Sequence, residues 1–430
     1  MTSTSDVLPK DNPSLAEATQ VWGTIGILSF GGPAAQIALM HKEVVETRNW
    51  LSERQFLNAL SFCMLLPGPE AMQLATYAGW RLHGTLGGLI AGLLFVIPGA
   101  VVIMTLAAIY SVYGDVPLVE ALFYGIKAAV LVIVVEALLR VSKKALSRKL
   151  HWLIAALAFI GIFFLSIPYP LIVLIAGVFG WLIGATLEEQ YDVNMGHVSA
   201  GKTLRTISSW LTIWLLPLFA LAALGAPDIL LEVGKFFSTL ATVTFGGAYA
   251  VLAYMAQDVV VQFGWLTAGE MVDALGLAET TPGPLILVTQ FVGFLAGFKD
   301  GGMVSGLTAA LIALWVTFAP CFLWIFAGAP YIEWISNRPR LKGALQAITA
   351  AVVGVILNLS IWFALHVLFA TVNREEQGPI ALWKPELATI EWLALALFLL
   401  SSFLAFRLHW GIIKILLVAS VLGAGLRLIS

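Results

Sequence analysis

The sequence predicts an all-α polytopic membrane protein in two homologous, inverted halves, with about ten to thirteen transmembrane helices at roughly 20 residues per span, and with helices broken at Pro-Gly-Pro. Three observations lead there. Of the 430 residues, 60% are hydrophobic and 11% charged, where a soluble domain carries about 25% charged residues. The apolar runs are long, as in 86–113 and 345–370, and the alternating segments of a membrane β-barrel do not occur. Pro67-Gly68-Pro69 returns as Pro282-Gly283-Pro284, 215 residues later. Each triplet sits in an apolar run that it must interrupt, because proline lacks the N–H and clashes with the preceding turn.

Residues 1–20 form a polar leader with a single Lys10 and without the apolar stretch of a cleaved signal peptide. The first repeat is expected over 21–187. Its opening apolar run stops at Phe30-Gly31-Gly32-Pro33, a helix-ending signal. Residues 41–54 are a charged amphipathic connector carrying Trp50, a residue type that anchors at membrane interfaces. The run 56–80 is interrupted at the first Pro-Gly-Pro, and 86–113 contains Pro98, which predicts a kink. Next, 119–139 carries Lys127 near its middle and is followed by Arg140, Lys143, Lys144, Arg148 and Lys149. Two short apolar runs then form a hairpin about Pro168-Tyr169-Pro170. Residues 188–231 make a polar linker with a connecting helix, and the second repeat occupies 232–430.

The repeat can be counted without gaps over its first part. At an offset of 215, Phe30-Gly31-Gly32 falls on Phe245-Gly246-Gly247, Glu43 on Asp258, and Trp50-Leu51-Ser52 on Trp265-Leu266-Thr267; further on the offset drifts to 222, where Pro98 meets Pro320. The loop charges give the orientation. The five basic residues after 139 mark the cytoplasmic side, so the connector 114–117, without Lys or Arg, lies outside. Its counterpart 336–343 carries Arg338, Arg340 and Lys342 and should lie inside. Equivalent loops on opposite sides predict inversion.

Irregular backbone at membrane depth is tolerated only where protein or a wet cavity surrounds it. Two mirrored breaks therefore predict a binding site between the repeats, where half-helix N-termini offer partial positive charge to an anion. The candidate ligands are the backbone around Gly31, Gly32, Gly246 and Gly247, the two breaks Pro67, Gly68, Pro69 and Pro282, Gly283, Pro284, and the hydroxyls of Thr280 and Thr281. Lys127 is the candidate cation, since an ionisable residue in mid-span usually faces a partner or a cavity; snorkelling, or pairing with Glu136 or Glu70, is the competing account. Glu70 follows the first break where Leu285 follows the second, and is the candidate proton carrier, although a carboxylate at a helix start also suits the macrodipole. Arg81 is a weaker site candidate and more often an interfacial anchor.

Other functions find little support. A net charge of −2 gives no nucleic-acid footprint. Cys63 and Cys321 sit in apolar runs, and the six histidines lack metal-ligand spacing. No glycine-rich nucleotide loop occurs, so neither a metal nor a nucleotide cofactor is indicated.

The motifs Phe30-Gly31-Gly32-Pro33, Arg48-Asn49-Trp50-Leu51-Ser52 and Met64-Leu65-Leu66-Pro67-Gly68-Pro69-Glu70-Ala71-Met72-Gln73-Leu74 resemble the chromate ion transporter family in its long, two-domain form, and Thr244-Phe245-Gly246-Gly247 and Thr281-Pro282-Gly283-Pro284 extend the resemblance to the second half. It implies a bacterial inner-membrane, multi-pass secondary transporter that exports chromate and confers chromate resistance, as an antiporter in exchange with protons or otherwise driven by the proton-motive force. Chromate is a tetrahedral dianion close to sulfate, so a sulfate or other oxyanion importer or exchanger is the nearest alternative. An anion channel or a membrane enzyme stands further off, and a homodimer is compatible with the reading.

Overall fold

The computed structural model describes residues 13–30, 32–114, 116–184, 200–245, 248–332, 338–378 and 380–427. Gly31, Gly246, Gly247, most of the leader and the first part of the 188–231 linker lie outside them. Among the described residues the first half consists of α1 (Leu15–Leu28), α2 (Gly32–His41) running into a π-helical turn (Lys42–Thr47), α3 (Glu53–Cys63), α4 (Glu70–Tyr113), α5 (Pro117–Ala145), α6 (Lys149–Phe163) and α7 (Tyr169–Gly184). After α8 (Ala200–Ala223) the order returns: α9 (Asp228–Val243), α10 (Ala248–Gln257) with its π-helical turn (Asp258–Gln262), α11 (Ala268–Thr280), α12 (Val288–Gly328), α13 (Pro339–Leu368), α14 (Trp392–Phe406) and α15 (Ile412–Arg427). The protein is an all-α, multi-pass membrane protein. Its outward surface is apolar, with Leu153, Leu157, Leu174, Val304, Leu311 and Leu417 all more than half exposed, a surface suited to lipid and far beyond the patches of a soluble monomer.

The sequence match at offset 215 is a match of backbone as well. Ser52 and Thr267 each close a capping box, with Gln55 and Glu270 as the third helical residue. The turns before them need a left-handed residue, Asn49 at φ 53° and Gly264 at φ 64°. Trp50 N–H donates to the Val44 carbonyl and Trp265 N–H to that of Val259. Both tryptophans are buried. Trp50 is thus a packing residue with Arg48 over its ring, not the interfacial anchor its charged neighbours suggested.

Among the described residues, five helices are long and apolar enough to cross a membrane, Glu70–Tyr113, Glu120–Ala145, Ala200–Ala223, Leu285–Tyr331 and Pro339–Leu368, and Lys149–Phe163, Tyr169–Gly184 and Trp392–Phe406 are shorter apolar helices. Several other apolar runs are made of shorter pieces. Helices α1, α2, α3, α9, α10 and α11 have 10 to 16 residues, or about 15–24 Å at 1.5 Å per residue, short of a bilayer core of about 30 Å. The expected span 56–80 is divided in this way, into α3, the Pro-Gly-Pro break and the start of α4.

α4 and α12 are themselves folded. α4 loses helical geometry at His83 and Gly84, and α12 at Gly301 and Gly302, with Gly84 and Gly302 at positive φ, where glycine is at home. Across each bend small residues touch. A Cβ on Gly79 would meet the Gly87 carbonyl at 2.3 Å, and one on Gly297 the Ser305 carbonyl at 2.6 Å. Pro98 sits within helical backbone, and the residues of α4 that leave helical geometry are His83 and Gly84. Proline 98 still frees the carbonyl of Leu94, four residues back. α1 packs closely on α4 at that oxygen, where a Cβ on Gly26 would lie 2.0 Å away.

The halves exchange partners. α5 packs against α14 and α15 of the second half, and α13 against α6 and α7 of the first. Glycines make both crossings close: Gly423 against Gly125, and Gly180 against Gly343, the small-residue contact by which membrane helices associate. Arg148 and Lys342 line one cavity, so the end of α5 and the start of α13 share one end of the bundle. At the other end α13 leads into a β-hairpin that the apolar pattern did not predict, β1 (Val372–Gln377) paired with β2 (Ile380–Pro385).

Candidate functional site

The two breaks meet at the centre, and each is tied to the opposite half. Gly68 N–H donates to the carbonyl of Thr244 at 2.9 Å, and Gly283 N–H to that of Ser29 at 2.7 Å. Ser29 and Thr244 are equivalent residues, each ending the helix before a glycine pair. Both carry a hydroxyl that bonds back four residues, to Ile25 and to Leu240. The broken backbone therefore leaves no loose end here: the amide that a helix would have used internally finds its acceptor across the pseudo-symmetric boundary. Left unmade at this depth, each such bond would cost about 1–3 kcal/mol or more.

The glycines are needed for two reasons. Gly68 and Gly283 stand at φ 113° and 88°, and both are crowded. A Cβ on Gly68 would meet Cys321 Sγ and Gln73 Nε2 at 3.0 Å; one on Gly283 would meet Leu287 Cδ1 at 3.0 Å and Gly99 Cα at 3.4 Å. The prolines contribute extended φ/ψ and start the following helices, with Pro69 as the N-cap of α4 and Pro284 as that of the 3₁₀ turn Leu285–Leu287 before α12.

A narrow cleft of about 10 Å³ lies where these starts converge, lined by Pro33, Gln36, Pro69, Glu70, Ala71, Pro284, Leu285 and Ile286. The beginnings of α2, α4 and the 285–287 turn all face it. The first amides of a helix lack internal partners, so the cleft is surrounded by donors. Gln36 braces it, donating through Nε2 to the Gly283 carbonyl at 2.6 Å, and Gln73 does the same for the Pro67 carbonyl at 2.7 Å. Among the expected residues, Gly32, at φ 79°, opens α2 beside the cleft, and Pro69, Glu70 and Pro284 line it. Gly31, Gly246, Gly247 and the side chain of Thr280 lie outside the described residues. Thr281 is buried, and its hydroxyl donates to the Ala278 carbonyl at 3.2 Å.

Lys127 and Arg81 do not line the cleft. Lys127 Nζ lies 3.3 Å from Asp273 Oδ1 on α11, and the other oxygen of Asp273 accepts from Tyr110 OH at 2.8 Å. The expected alternatives, Glu136 and Glu70, are not its partners; Glu136 pairs with Arg140. Arg81 is exposed on α4, just before the bend.

Three polar groups escaped the sequence reading. Asp273 and Glu279 are buried carboxylates, 5% and 6% exposed, both on α11. Glu279, three residues before Pro282, accepts from Tyr249 OH at 2.9 Å. Their signal was present, since acidic residues inside the apolar run 271–278 and at its end are as anomalous as a mid-span lysine. Gln36 offered only a lone amide in an apolar helix.

The sequence model of the chromate transporter family matches residues 16–181 and 231–425. The chain is 31% identical over 340 residues to a chromate transport protein of Pseudomonas aeruginosa, covering 77% of this chain and 76% of that one. It is 29% identical over 344 residues to a probable chromate transport protein of Synechococcus elongatus, covering 80% and 83%. With a chromate transport protein of Cupriavidus metallidurans it shares 28% over 353 residues, covering 79% and 80%. No solved structure matches.

Proposed function

The chain belongs to the chromate transporter family, and from that premise we propose that it is a secondary transporter carrying chromate out of the cytoplasm across the inner membrane, the oxyanion being held in the cleft between the two Pro-Gly-Pro breaks. One observation carries the assignment: each break is bonded to the other half, through Gly68 to Thr244 and Gly283 to Ser29, so the helix starts that face the cleft belong to both repeats at once. Such a site is remade whenever the halves move relative to each other, which is what alternating access requires. The antiparallel run of α5 and α13 from the shared basic end supports inversion of the repeats.

The proposed ligands are backbone amides: those around the glycine pairs, Gly31, Gly32, Gly246 and Gly247, and those at the starts of α4 and α12. A tetrahedral oxyanion accepts in every direction and suits a donor set drawn from several helix ends. Glu70 is the exception in the ring, since its carboxylate, when charged, opposes a dianion in the same cleft. Proton and anion thereby compete with the empty, charged state of the site, which gives Glu70 its proposed role in coupling. The direction follows from charge. An inside-negative potential favours outward movement of a dianion by about 4.6 kcal/mol per 100 mV, taking about 2.3 kcal/mol per charge. A proton carried along would halve that figure.

The test is flux of chromate and of sulfate in inside-out and right-side-out proteoliposomes, with the potential and the pH gradient imposed separately. Outward chromate flux that grows with inside-negative potential is the expected result. Flux of sulfate alone would turn the reading to the oxyanion exchanger, and chromate loss without chromate appearing on the other side would end the transporter reading.

A further inference from the structure

The β-hairpin closes a second polar cavity, remote in character from the cleft. β1 and β2 are joined at Gly378, which adopts φ 63°, and the hairpin is pinned to the turn between α6 and α7: Ala381 N–H donates to the Phe164 carbonyl at 2.8 Å, and Arg374 Nη2 to Ser166 Oγ at 3.1 Å. Under it lies a small, partly open cavity of about 20 Å³ whose polar lining is Ser166, Gln257, Asn358, Trp362 and Arg374, with Trp383 as a wall. It draws on four elements from both halves: the α6–α7 turn, the end of α10, the last third of α13 and the hairpin.

Donors without acceptors crowd this space. Arg374 Nε and Trp362 Nε1 are buried and have no hydrogen-bond partner. Asn358, 7% exposed, lines the same space. Among the described residues no carboxylate lines the cavity, and the acid that touches Arg374 is Glu376, 3.1 Å away with a side chain 66% exposed, so water screens that pair. Arg374 is held in place by the ring of Trp383, 5.6 Å from its guanidinium. Trp383 in turn meets His366, which is packed on Trp362. A fixed guanidinium, an indole N–H and carboxamides in a partly dry pocket call for a ligand that is anionic and accepts from several sides.

We propose that this cavity is a second oxyanion site, binding sulfate or chromate through Arg374, Trp362 and Asn358, at the end of the molecule opposite the Arg148 and Lys342 cavity. α10 connects it to the central site: its ten residues, about 15 Å of helix, start directly after Gly246-Gly247 and end at Gln257. Binding itself stands on the cavity alone. Its place on the transport path, as the stage between the central cleft and the outer solution, rests on the transporter reading.

The experiment is equilibrium binding of radiolabelled sulfate to the full-length protein in lipid nanodiscs, with chromate as competitor, for the wild type, Arg374→Gln, Arg374→Lys and Trp362→Phe, each with a melting curve that certifies folding. The expected result is a sulfate component that Arg374→Gln weakens at least tenfold and Trp362→Phe several-fold, with Arg374→Lys in between, because charge is kept but the planar fork is lost. Folded variants that bind sulfate as the wild type does overturn the proposal, and so does a wild type that binds none. Flux measured on the same preparations separates the two readings. Arg374-dependent binding without any flux upholds the site and removes the transporter; flux with Arg374-independent binding does the reverse.

Discussion

The two Pro-Gly-Pro breaks have the same backbone and different side chains. Around both there is a glycine at positive φ, an amide bonded to the opposite half and a preceding helix started by a capping box. Around the first stand Gln36, Gln73 and Glu70; the matching residues of the second half are Val251, Val288 and Leu285. The imbalance reverses on the incoming helices, where α11 holds the buried Asp273 and Glu279 and the first half has Asn58 on α3 and Met64 just past its end at the same places. The lesson is a division of labour. Features that shape the cleft are duplicated, whereas Glu70, Lys127, Asp273 and Glu279 have no ionisable counterpart at the matching position, and Lys127 reaches across the boundary to Asp273. The buried ionisable groups are therefore found in both halves, Lys127 in the first and Asp273 and Glu279 in the second.

The largest effect should come from breaking the shared pair. Asp273→Ala leaves Lys127, three-quarters buried, without its partner, and is expected to cost about 3 kcal/mol, at the lower end of the range for a split buried ion pair; a melting curve in nanodiscs reads this. The double variant Lys127→Met/Asp273→Leu should recover most of the loss. If its stability returns while chromate affinity does not, Lys127 serves the anion as well as Asp273.

Next come the glycines. Gly68→Ala and Gly283→Ala each force a Cβ into a left-handed backbone, at about 1–2 kcal/mol, and push against Cys321 and Leu287. Both should lower flux at least tenfold. Equal losses would support a symmetric cleft, and a loss confined to one would show that the other break is only structural.

Gln36→Leu tests the asymmetry directly. It removes the bond to the Gly283 carbonyl, with an expected cost of about 1–1.5 kcal/mol. Its effect on flux should exceed that of Val251→Leu, the matching change in the second half.

Glu70→Gln should change stability least, by about 0.5 kcal/mol or less, and pH dependence most. Glu70 loses its charge when protonated, so wild-type flux is expected to fall as pH rises through its titration and the glutamine variant to stay level. A wild-type pH profile that survives in Glu70→Gln moves the coupling proton to α11, where Glu279→Gln is the next variant to measure.

Much of this architecture was legible in the sequence because the repeat is local. Trp-Leu-Ser and Trp-Leu-Thr announce capping boxes, and a recurring Pro-Gly-Pro announces paired breaks, since the physics of both lies within a few residues. What joins the halves was not legible. Nothing near Lys127 in the chain points to Asp273, and nothing near Gly68 points to Thr244, because these contacts arise only when two distant segments are packed together. The carbonyl that Pro98 frees at Leu94 is covered by Gly26 of another helix, a contact that likewise exists only once distant segments pack. The hairpin between α13 and α14 was hidden by its polar, alternating residues, which read as loop in a chain where apolar length was the main signal.

The crossed bonds from Gly68 and Gly283 also bear on how the protein is made. Ribosomes deliver the first half before the second, so the broken tip at Gly68 waits in the membrane without an acceptor until Thr244 emerges, and Ser29 waits for Gly283. An isolated first half is then an unfinished object that quality control would remove, and the two halves expressed as separate chains should accumulate only together.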